Sequence, residues 1–185
     1  MAKGSMGSVV AASAVFLAVG SAVAQDNQAL INSALSAAPP MIANTATVMT
    51  MSGQVLRPGA GEYTCFPREH PGETPMCLDA EWLRWADAWL NKKDFMPSRN
   101  AIAYMLAGDL PDAGASNKDP FAKAPTPDND WIVEGPHIML LVPDPAVLNS
   151  VSADYRTGAP YVMWQGTPYA HVMVTVGPRP PQRTR

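Results

Sequence analysis

The sequence predicts one α+β domain, an antiparallel sheet of five or six strands with a Trp-rich amphipathic helix packed on one face. Three observations point there. Short apolar stretches recur along the chain between Pro- and Gly-rich turns, the pattern of strands in a sheet. One segment, 79–92, carries its apolar residues at helical spacing instead. The chain has 185 residues, 47% hydrophobic and 16% charged, which suits a single core and argues against wholesale disorder.

The beginning of the chain reads as a signal peptide over residues 1–24. Lys3 gives a positive start, Val9 to Val19 a short apolar core, and Ala22-Val23-Ala24 a small-x-small cleavage signal before Gln25. The exported domain is then 25–176, followed by a tail, 177–185, of three prolines and three arginines that is expected to be disordered. The location implied is the periplasm or the medium, with no membrane span once the leader is removed.

Within the domain, Asp26 to Ala37 reads as a short helix stopped by Pro39-Pro40. Val48 to Leu56 and Glu62 to Phe66 flank an Arg-Pro-Gly-Ala-Gly turn and look like a hairpin or meander. Cys65 and Cys77 enclose eleven residues with three prolines and a glycine. Such a segment bends back on itself, so in an oxidising compartment the pair is expected as a structural disulfide.

In the helix at 79–92, Asp79 is the expected cap and Lys92-Lys93 sit where the dipole favours cations. Trp82, Trp85, Ala86, Trp89 and Leu90 share one side. That stripe reads either as a helix laid on a sheet or as a sugar-stacking platform.

Ala101 to Ala107 follows as a buried strand, and then a long polar connection from Gly108 to Asp130, which is a candidate lid or partner contact. Its acids lack the spacing of a calcium-binding loop. Three apolar segments end the domain: His137 to Val142, Tyr161 to Trp164, and His171 to Val176, the last two joined as a hairpin. A turn or short helix from Pro143 to Ser150 separates the first from the others.

Net charge is −3, with 13 Lys+Arg against 16 Asp+Glu and no basic stripe, which argues against a nucleic-acid partner. No esterase elbow, zinc-protease pair, phosphate-cradling loop or haem attachment is written in the chain, so enzyme status is left open. One local echo stands out. His137-Ile138-Met139 and His171-Val172-Met173 share a His-x-Met pattern, and on strands each pair faces one way. Placed together, His137, Met139, His171 and Met173 offer imidazole and thioether donors that suit copper, the cuprous ion above all. The plainer reading has each His at a strand start and each Met in the core.

Several stretches together resemble a family of uncharacterised exported bacterial proteins with no assigned activity. They are Pro75-Met76-Cys77-Leu78-Asp79, Asp119-Pro120-Phe121 and Pro125-Thr126-Pro127-Asp128-Asn129-Asp130-Trp131. To these add Gly135-Pro136-His137, Val142-Pro143-Asp144-Pro145, Pro160-Tyr161-Val162-Met163-Trp164 and Gly166-Thr167-Pro168-Tyr169-Ala170-His171. The resemblance runs from about Ala34 to Val176 and implies an exported bacterial origin, with no activity, cofactor or catalytic residue to carry over.

Three functions are therefore expected in turn. The first is a non-catalytic binding or accessory protein for a small molecule or a protein, with no cofactor. The second is a copper protein using the paired His-x-Met strands. The third is a hydrolase with a site around His137 and His171.

Overall fold

The computed structural model describes Met1 and residues 15–182, with side chains from Gln25 onward. Most of the expected signal peptide lies outside the described residues. Helix α1 runs unbroken from Val15 to Leu35, across the expected cleavage point. After α1 come α2 (Pro40–Ala43), β1 (Thr47–Met49), β2 (Val55–Arg57), β3 (Thr64–Phe66), β4 (Met76–Leu78) and α3 (Ala80–Leu90). The chain continues through β5 (Ala101–Met105), β6 (Ala115–Ser116), β7 (Trp131–Ile132), β8 (His137–Leu141), α4 (Pro145–Ser150), β9 (Tyr161–Met163) and β10 (His171–Thr175).

The fold is α+β, but the sheet is larger than expected and mixed. Eight strands run in the order β2-β1-β3-β4-β5-β8-β10-β9, while β6 and β7 pair separately. Every neighbour in the large sheet is antiparallel except β1 and β3, which are parallel. Strands of three residues, such as β1 to β4, are too short to show the alternation that identifies a strand.

The parallel pair comes from the Arg-Pro-Gly-Ala-Gly segment, which carries the chain past β1 instead of closing a second hairpin. At Gly59 it passes so near β1's approach that a Cβ would stand 2.3 Å from the Ala46 carbonyl carbon, so only glycine fits. Gly61 N–H then donates to the Thr45 carbonyl at 2.8 Å, and β3 is set down on the far side of β1.

Each face of the sheet has its own cover. On one, α3 lays Trp82, Trp85 and Ala88 over Ala101, Ala103, Met139, Leu141 and Met173. Asp79 caps this helix through one oxygen, which accepts from the Glu81 and Trp82 N–H groups, while its other oxygen accepts from Arg99. Leu90, expected in the stripe, is 59% exposed, and Ala88 is buried in its place. On the opposite face, Ile31, Ala34, Leu35 and Ala37 cover β1, β3 and β4. The Cys65–Cys77 disulfide lies under them, its two cysteines directly opposite on β3 and β4.

The 108–130 connection is no free lid. Ala113, Ser116 and Asn117 are buried, Ser116 Oγ donates to the Asn129 carbonyl, and Trp164 donates N–H groups to the Ser116 and Asn117 carbonyls. Residues 177–182 are docked through Arg179 and Gln182, whereas 183–185 lie outside the described residues.

Candidate functional site

The His-x-Met echo forms two neighbouring strands, β8 and β10, with all four selected side chains on one face. Their antiparallel register sets Met139 opposite Met173, but His137 opposite Thr175. His171 is therefore offset from His137 by four strand positions, about 13 Å at the usual rise per residue. Each ring is also tethered at its own end. His137 Nδ1 lies 2.7 Å from the Gly135 carbonyl oxygen, and His171 Nδ1 lies 2.9 Å from that of Tyr169. The register thus sets the two imidazoles on either side of the Met139–Met173 pair, each held by its own carbonyl. They define two ends of one sheet surface.

The end at His171 is aromatic. The imidazole, 1% exposed, stands edge-on to Trp82, Trp85 and Trp164, with ring centroids 5.4, 5.5 and 5.2 Å away. Trp85 and Trp164 stack at 1°, and Trp89 joins both at 19°. The tether to a carbonyl fixes the proton on Nδ1 and leaves the Nε2 lone pair bare. That atom is buried without a partner, as is Trp82 Nε1. Burial pushes the His171 pKa down to about 4, against the opposing pull of the Tyr169 carbonyl. The ring is neutral at physiological pH.

The end at His137 is polar and centres on Glu134, a residue the sequence did not single out. Glu134 is 2% exposed, yet both its oxygens are filled. Oε1 accepts from Gly135 N–H at 3.0 Å, Arg179 Nε at 2.8 Å and Thr175 Oγ at 3.2 Å. Oε2 accepts from the Tyr161 hydroxyl at 2.8 Å and Arg179 Nη2 at 2.9 Å. Burial alone would raise the Glu134 pKa, but hydrogen bonds from Arg179 and Tyr161 hold it below the usual carboxylate range.

Asp109 braces this end from the long connection. It accepts from Thr74 Oγ at 2.6 Å and from Glu134 N–H at 2.8 Å. Burial pushes the His137 pKa down, opposed by the Gly135 carbonyl and by the Asp109 and Glu134 charges. The Tyr161 hydroxyl is driven up by burial and by Glu134. Sequence reasoning had one usable signal, an acid three residues before His137, but its partner Arg179 lay in a tail read as unstructured.

The acids of the 108–130 connection disperse. Asp112 pairs with Arg68 and Asp130 with Lys118, while Asp119 accepts from Phe121 N–H. Among the described residues no group of three His, Cys, Asp or Glu side chains could hold a metal ion, and no helix is long and apolar enough to cross a membrane. Two shallow clefts, of about 350 and 470 Å³, are lined by neither histidine nor by Glu134. No family model, curated protein or solved structure matches this chain.

Proposed function

We propose that the chain is an exported, non-catalytic binding or accessory protein. One observation carries this reading, the saturation of Glu134. Five hydrogen bonds fill the carboxylate beside His137, so it holds charge in place and has no lone pair left to act as base or nucleophile. Export is supported by the disulfide, a bond favoured in oxidising compartments, and by the leader-like residues 1–24.

The test offers the full chain chromogenic esters, phosphoesters, glycosides and peptides. The expected result is no turnover above that of His137→Ala. Turnover that His137→Ala abolishes, in a variant that still melts cooperatively, overturns the reading in favour of a hydrolase.

A second reading, copper binding, is favoured by the bare Nε2 of His171. Its cross-strand neighbour on β9 is Met163, also buried on the Trp face, so a neutral imidazole and a thioether stand side by side there. A cuprous titration under reducing conditions decides. A saturable rise in Tm that His171→Ala removes and His137→Ala keeps would replace the first reading with this one.

A further inference from the structure

We propose that the Glu134 pocket is a guanidinium-recognition site, filled in cis by Arg179, whose ligand class is an arginine carried on an extended, proline-flanked segment. The inference names a ligand for the binding protein argued above and rests on that reading.

The pocket is built for a planar cation. Glu134 takes Arg179 Nε and Nη2 on separate oxygens, the bidentate fork that an ammonium does not reproduce. The third nitrogen, Nη1, donates to the Tyr155 carbonyl. The Tyr155 and Tyr161 rings each lie 5.5 Å from the guanidinium carbon, close enough for both to attract the cation. Carboxylate, carbonyl and two ring faces thus read charge, shape and donors together.

The segment that delivers the arginine is attached like a ligand. None of residues 177–182 belongs to either hydrophobic core. Beyond the ladder of β10, which ends at Thr175, Val176 N–H donates to the Pro136 carbonyl. The tail then runs close over the site, and a Cβ on Gly135 would stand 2.3 Å from the Pro178 carbonyl oxygen. Gln182 closes the contact, accepting from Val133 N–H at 3.1 Å and donating to its carbonyl at 2.9 Å. Prolines at 178, 180 and 181 favour an extended backbone and lower the entropy cost of docking. Its departure would leave every strand pairing of the sheet in place while uncovering the Tyr161 ring and a buried carboxylate that demands a cation. That combination makes the tail exchangeable for the same chemistry on another chain.

The experiment uses full-length Arg179→Ala, in which the pocket lacks its own guanidinium, and a labelled peptide of residues 177–182. The expected result is saturable binding, weakened roughly tenfold or more when the peptide's arginine is replaced by lysine. Wild-type protein should bind the same peptide more weakly than the variant, because its own arginine competes. If Arg179→Ala does not melt cooperatively, Arg179→Lys carries the test instead. Absence of binding by a folded variant, equal binding by wild type, or equal binding of the lysine peptide each overturns the inference. Such a failure without turnover leaves the non-catalytic reading standing, whereas turnover lost on His137→Ala removes both.

Discussion

The starts of β8 and β10 are written almost alike and end in opposite surroundings. Both place a histidine at the first strand position, tie Nδ1 to the carbonyl two residues back, and send a methionine onto the same face. At His137 the neighbours are Glu134, Asp109 and Arg179, whereas at His171 they are three indoles. The local motif sets tautomer and direction. The chemistry is supplied by distant segments: the tail and long connection at one end, α3 and Trp164 at the other.

Removing each end's main partner should have the largest effect, for different reasons. Arg179→Ala leaves the Glu134 charge buried and uncompensated, with an expected loss of about 3–5 kcal/mol at neutral pH. Trp82→Ala empties a fully buried site, with an expected loss of about 3–5 kcal/mol as a cavity. Denaturant titration at two pH values separates them. The Arg179→Ala penalty should shrink on acidification, because a protonated Glu134 no longer needs a cation. An undiminished penalty at low pH would show that the guanidinium matters for packing and not for charge.

The next effect is a pH dependence to which the aromatic end contributes through His171. His171 has a pKa of about 4 in the folded chain, below the ordinary value of 6.5. The unfolded chain therefore takes up this proton first as pH falls. The contribution is complete above about pH 6.5 and is lost as pH falls through 4, a change of about 3 kcal/mol. His137 and Glu134 are also lowered and add to the loss in the same direction. His171→Phe should flatten the slope of stability between pH 6.5 and 4 without abolishing it. An unchanged slope would assign the titration to the polar end.

The disulfide is a control on both, because it lies under α1 on the opposite face of the sheet. Replacing both cysteines by serine should cost about 3 kcal/mol on the chain-entropy estimate. The loss should add to that of Arg179→Ala within about 0.5 kcal/mol, as expected for sites that share no partner.

Much of this architecture was legible, and the misses have physical causes. Asp79 and the tryptophan spacing announced α3, and the cysteine loop announced the disulfide, because caps, periodicity and loop closure are local signals. The parallel placement of β3 was not local, since it depends on where Gly59 meets the Ala46 backbone. The four-residue offset between the histidines depends on pairing register, which neither strand encodes by itself. Glu134 escaped notice because an acid gains meaning from its partner. That partner, Arg179, lies 45 residues along the chain in a segment with nothing apolar to anchor it.

The smallest expected effects grade the individual bonds to Glu134. Tyr161→Phe keeps the ring and removes one donor to a buried carboxylate, so it should cost about 1.5–3 kcal/mol. Thr175→Val also keeps shape and strand propensity, but its bond to Glu134 is longer, at 3.2 Å, and Thr175 is only half-buried. Water can take its place there, and four other donors stay on the carboxylate, so a cost of about 0.5–1 kcal/mol is expected. Denaturant midpoints for both variants at unchanged m-value give the comparison. If Thr175→Val costs as much as Tyr161→Phe, the carboxylate tolerates no vacancy at all. The polar end would then be a rigid lock, and exchange of its arginine would be correspondingly slow.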